Sequence, residues 1–386
     1  MIIHKKNYIE LGTKAVLTNE GVNFFVKKGY KLRKISTVGG RIQFGVKLTK
    51  ISPDSLQHMI RIGYFSSLET SHMEFTTVRS DLMDLSKLVI FGFLYKRFDR
   101  ELLSMLINSS FVRAWNRANP GSVIDERTRI KDSSLRSELL KDSALLKSIR
   151  KSITAPVVKS IIANNSLLAD EKNAMIFLSD KFLDNTRSFI WYILMKFFRD
   201  DGCAALIGKI RERLALYIRR SPIADYLTLL LAELMTSEEA LNMQNFAKRD
   251  GIFGKMSAED ILHDPAKRQS LLEAMKTARV DLVIGWRFGS SSATSISPDD
   301  RLQIVVYNNK AKYLDFKEKF GEGAESGSSV SLQEFYQNTS VGNPELGLQY
   351  QGYLREACNK VGLRFSSKVG VVQNDVPLIT LTVRFL

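Results

Sequence analysis

The sequence predicts an α+β multidomain chain in three consecutive parts: a basic β-rich module over 1–80, a helical middle over 81–220, and a C-terminal α/β sandwich over 221–386, a mixed sheet with helices on one face. Three observations carry this. Short β-branched runs separated by a glycine turn fill the first part. Apolar residues recur at three- and four-residue spacing through the second. In the third, two helical stretches are followed by two strand-like runs, a glycine-rich segment, another helix and two closing strands.

In the first part "VNFFVKKGYKLRKIST" and "RIQFGVKLTKIS" read as strands around the turn signal "VGG" (38–40), and "MIRIGYF" (59–65) reads as a further strand. The expected product is a small antiparallel sheet or barrel. Charge is concentrated here: residues 1–50 account for +9 of the net +15. The densest cluster is "KKGYKLRK", with Lys27, Lys28, Lys31, Arg33 and Lys34 around Tyr30 and close to Phe24 and Phe25. Lysines interleaved with aromatic residues can grip phosphates and stack bases, which makes nucleic acid a candidate partner. The same pattern also suits the solvated face of an edge strand, where lysine blocks edge-to-edge pairing.

The middle part is helical. "DLMDLSKLVIFGFLYKRFDRELLSMLINSSFVRAW" and the stretches that follow keep helical spacing, with breaks at "NPGS" (119–122) and "DDG" (200–202). A bundle that could pair two copies of the chain is the expected outcome. The third part opens at "SPIADYLTLLLAELM", where Ser-Pro suits a helix start. "RVDLVIGWRFG", "DRLQIVVYNN", "GLRFSSKVGVVQ" and "VPLITLTVRFL" are its strands, with Trp286 a sheet-core aromatic. Glu238 and Glu239 read as a solvated helix face.

That order of elements and four landmarks resemble the ATP-binding domain of histidine kinases and related proteins, the GHKL ATPase fold, over 221–386. "LLLAELMTSEEALN" (229–242) resembles the first-helix box, in which an acidic residue and an asparagine four positions on serve water and Mg²⁺. Glu233 matches the acidic position, and Ser237 stands where asparagine is usual, with Asn242 and Asn245 further along. "LQIVVYNNKA" resembles the strand leading to the adenine-reading aspartate, whose place Asn308 takes, with Lys310 near an expected glycine. "VGNPELGLQYQGYLREA" (341–357) resembles the lid and second glycine segment through Gly342, Gly347 and Leu348. "PLITLTVRF" resembles the final strand, with Thr380 at the threonine position and Ile379 where glycine is usual.

The resemblance implies a nucleotide site for ATP with Mg²⁺ whose chemistry is eroded. An amide at 308 accepts a hydrogen bond more weakly than a carboxylate. A serine at 237 removes an oxygen that Mg²⁺ would use. Missing glycines hinder close backbone approach to phosphates. The implied function is regulation or signal transduction by partner binding, with no assigned catalytic residue. The alternatives are a nucleic-acid-binding protein using the N-terminal module and an active ATPase or kinase with atypical motifs.

Other chemistries lack their residues. Of the four histidines, His4, His58, His72 and His263, none lies in the helical middle where a phosphoacceptor would sit. No cluster has zinc spacing, and no P-loop or nucleophile elbow is present. Cys203 and Cys358 lie far apart and read as reduced core thiols, the longest apolar runs are too short to span a bilayer, and the expected location is cytoplasmic.

Overall fold

The computed structural model describes residues 8–38, 40, 42–125, 128, 130, 132–250, 264–289, 300–320, 346–372 and 376–386. In chain order the elements are β1 (Thr13–Leu17), α1 (Asn19–Lys27), β2 (Arg33–Ile35), β3 (Gln43–Leu48), α2 (Pro53–Arg61), β4 (Phe65–Ser71) and α3 (Val78–Ile107). The helices α4 (Ser110–Ala118), α5 (Asp132–Lys141), α6 (Ser143–Ala163), α7 (Ala169–Asp184), α8 (Ser188–Lys196) and α9 (Asp201–Asp250) follow. The chain closes with α10 (Pro265–Thr277), β5 (Leu282–Gly289), β6 (Arg301–Asn308), α11 (Tyr313–Phe320), α12 (Leu346–Lys360), β7 (Leu363–Val372) and β8 (Val376–Phe385).

Two compact units divide these elements. Among the described residues, one comprises 94–221 and the other 8–93 together with 222–386. The N-terminal strands therefore do not form a module of their own. They share one eight-stranded sheet with the C-terminal strands, in the order β2-β3-β1-β4-β5-β6-β8-β7, and the join is the β4–β5 ladder, with Leu68 opposite Trp286.

The sheet is antiparallel throughout, not mixed as expected. The reason lies in the crossovers. β1 and β2 run parallel but β3 lies between them, and β6 and β7 run parallel but β8 lies between them. Each of these two crossovers thus skips a strand, which the hairpin that follows fills, and the β3–α2–β4 crossover passes over β1, already in place. The first six elements make a βαββαβ split unit. Register gives the sheet one apolar face: Ala15, Leu68, Trp286, Ile304 and Leu381 stand in cross-strand pairs, and each is buried. Trp286 is a core residue, as its sequence context suggests.

The two N-terminal helices correct the strand reading of "VNFFVKK" and "MIR". The Thr18 hydroxyl caps α1 by accepting from the Gly21 N–H at 3.2 Å, and Gly29, at φ 79°, closes the turn beyond the helix. Ser52 caps α2 in the same way, with Pro53 at its first position. Local capping outweighs the β-branched and aromatic content of α1, because the helix also buries Phe25 against Phe65.

The described elements of the unit of 94–221 are helices. Tyr95, Phe98, Phe182 and Tyr217 pack edge to face and tilted, with centroids 5.2–6.0 Å apart. Two helices run through proline. In α6, Pro156 leaves the Ser152 carbonyl without its helical donor, and Arg211 supplies one at 2.9 Å. In α9, Pro222 does the same to Ile218, and the Ser221 hydroxyl donates to that carbonyl at 2.7 Å. Ser-Pro at 221–222 is thus an internal step of a long helix and not a helix start. Cys203 and Cys358 are buried free thiols, and burial pushes Cys358 up to about 12.

Candidate functional site

The landmarks of the resemblance are dispersed. Glu233, on α9, is held by Arg79 of α3 at 2.5 Å. The Ser237 hydroxyl donates to the Leu234 carbonyl in its own helix at 3.1 Å. Thr380, on β8, is half-buried in the ladder opposite Val305 and Lys368. Gly342 lies outside the described residues, and Gly347 and Leu348 fall in the first turn of α12. Asn308, the last residue of β6, is fully buried.

Asn308 is the centre of a buried polar cluster. It stands in line with Leu302, Ile304 and Val306 on the apolar face, opposite Leu282. Its amide nitrogen donates to Glu238 at 2.8 Å and to the Asn242 amide oxygen at 3.3 Å. Its amide oxygen accepts from the Asn242 side chain at 3.1 Å and from the Lys310 N–H at 3.0 Å, which pins the turn after β6. Two donors and two acceptances saturate an asparagine amide.

Next to Glu238 on α9, Glu239 accepts from Arg268 of α10 at 2.7 Å, and Arg268 also donates to the Phe75 and Thr76 carbonyls at 3.2 and 2.9 Å. Burial raises the Glu239 carboxyl above its ordinary range, and the Arg268 charge and hydrogen bond oppose that rise. His72, wholly buried on the chain just after β4, has its Nδ1 3.0 Å from the Leu282 carbonyl oxygen. Desolvation, reinforced by Arg268, holds this imidazole down to about 4, so it is neutral at pH 7 and Nδ1–H is the donor.

The reading of Glu238 and Glu239 as a solvated face is therefore wrong: both are buried. A signal for them was present. Glu238 and Asn242 lie in helical phase with the buried Leu231, Met235 and Phe246, and Glu239 precedes the buried Met243 by four. The acid-then-asparagine spacing sought at 233 and 237 is met instead at Glu238 and Asn242, one turn further on.

The basic residues fall elsewhere in this unit. Lys27 ends α1, Lys28 and Lys31 lie in the connection beyond it, and Arg33 and Lys34 are on the edge strand β2; all five are exposed. Among the described residues no group of three or more His, Cys, Asp or Glu side chains is arranged to hold a metal ion, and no helix is long and apolar enough to cross a membrane.

A family model matches residues 4–385. The chain belongs to DUF8084, a family of unknown function. A relative from Treponema pallidum (strain Nichols), described as an uncharacterized protein, is 30% identical to this DUF8084 chain over 374 residues, covering 95% of each. No solved structure matches.

Proposed function

We propose that this DUF8084 protein is a cytoplasmic regulatory protein that acts by docking a protein partner, and that its C-terminal part is a histidine-kinase-type ATPase fold retained as a scaffold without nucleotide turnover. Two features support the fold reading. The succession α9, α10, β5, β6, α12, β7, β8 follows the order the resemblance implies, with α11 added after β6. The acid and asparagine on the first helix of that succession meet the residue at the adenine-reading position.

The observation that carries the absence of turnover is the saturation of Asn308. Every hydrogen-bonding position of its amide is engaged by Glu238, Asn242 and the chain at Lys310. An adenine would have to break these bonds inside a buried site, where each unmade bond is costly. Mg²⁺ fits no better. It needs several oxygens in octahedral array, and the amide oxygens of Asn242 and Asn308 each accept from the other residue. Glu233, the residue at the water-activating position, is neutralised by Arg79. The cluster as built stabilises the junction of α9 with the end of β6.

The test is phosphate release and label transfer from Mg·ATP by the purified full-length chain. Neither is expected above the buffer rate. Release that disappears in the Glu238→Gln variant would overturn the proposal.

A further inference from the structure

We propose that the end of α1 and the β2–β3 hairpin form a surface that docks on an anionic lipid bilayer. The inference goes beyond the partner reading above and rests on different residues. In the N-terminal stretch three lysines have carboxylate partners: Lys14 with Glu69, Lys47 with Glu74 and Lys50 with Glu10. Lys27, Lys28, Lys31, Arg33 and Lys34 have none among the described residues, although they crowd into eight positions of chain. Five uncompensated cations this close repel one another, and an anionic surface relieves the repulsion.

Apolar side chains stand exposed on the same elements and in the connection between them. Val26 is 57% exposed, Tyr30 58%, Ile42 67% and Phe44 53%. Phe44 lies directly opposite Lys34 in the β2–β3 ladder, so a ring and a cation share one spot at the sheet edge. Blunting the edge strand would account for Arg33 and Lys34. It does not account for lysines at the end of α1 and just beyond it, or for an isoleucine and a phenylalanine left in water on the hairpin. Cations flanking exposed apolar groups are what an interfacial membrane site needs: the charges meet the headgroups while the apolar groups enter the acyl boundary. A nucleic-acid strand would use the rings of Tyr30 and Phe44 but leave Val26 and Ile42 wet, which favours lipid.

The test is co-sedimentation of the full-length chain with vesicles of phosphatidylcholine alone or mixed with phosphatidylglycerol. Binding is expected only with the anionic mixture, and it should fall steeply between about 0.1 M and about 0.5 M salt. The triple variant Lys27→Glu, Lys28→Glu, Lys31→Glu should lose about a hundredfold in partitioning. The Ile42→Ser, Phe44→Ser variant should lose several-fold while keeping its salt dependence. All five positions are exposed, and an unchanged melting curve checks that each variant is folded. Absence of sedimentation with the anionic vesicles, or binding unchanged by the charge reversal, would overturn the proposal. So would tight binding of a single-stranded oligonucleotide that anionic vesicles fail to displace, which would assign the surface to nucleic acid.

Discussion

Among the described residues Arg268 is the counter-charge of Glu239, and both are buried. Removing one member of such a pair leaves a charge stranded in the core. Arg268→Met should therefore cost about 3–5 kcal/mol in urea unfolding. Adding Glu239→Gln should recover much of that, since the remaining group no longer carries a charge. His72 gives a pH dependence. Its folded value, about 4, lies below the ordinary 6.5, so the unfolded chain takes up the proton more readily. The contribution of His72 is complete above pH 6.5 and is lost as pH falls toward 4. The full loss amounts to about 3 kcal/mol. In His72→Gln the stability slope between pH 4.5 and 6.5 should flatten, as measured by urea unfolding at each pH. The sequence offered His72 as one of four histidines unsuited to phosphotransfer. Its burial and its bond to Leu282, 210 residues away, have no local sequence signature.

At the level of the element, α9 is the instructive case. Ser221 and Pro222 look like a helix start because proline is at home in the first turn. The helix continues because the Ser221 hydroxyl gives Ile218 the hydrogen bond that Pro222 cannot. Ser221→Ala should leave that buried carbonyl unsatisfied and cost about 1–3 kcal/mol. The double variant Ser221→Ala, Pro222→Ala restores the backbone donor and should return to within about 1 kcal/mol of the parent in the same unfolding assay. Strand-forming residues misled in the same way at α1, where Val22, Phe24 and Phe25 suggest a strand. The caps were readable, with Thr18 ahead of Glu20 and Gly29 beyond the end, and caps rather than side-chain type decide that element. Strands β5, β6 and β8 were legible nearly to their ends, because their β-branched runs and flanking turns are local signals.

Over the whole molecule, pairing partners were what the sequence concealed. β5 reads as a strand by itself, whereas the strand read at 59–65 stops at Phe65, where β4 begins, and the β4–β5 ladder joins residues more than 200 positions apart. That ladder makes 8–93 and 222–386 parts of one sheet, so neither should fold without the other. A fragment spanning 221–386 would expose the β5 edge and strip Leu68 from Trp286. It should give poorly dispersed amide resonances and regain dispersion only on addition of a fragment spanning 1–93; a well-dispersed spectrum from 221–386 alone would argue against the joint sheet.

The proposal of a docking scaffold stands or falls on whether Asn308 is free to meet a nucleotide. The most direct measurement is the melting temperature of the full-length chain with and without excess Mg·ATP. A ligand at about 100 times its dissociation constant stabilises by about 2.7 kcal/mol, a readily measured rise. The saturated Asn308 amide predicts no rise. A rise that is lost in Asn308→Ala would contradict the account and make the cluster of Glu238, Asn242 and Asn308 a working nucleotide site.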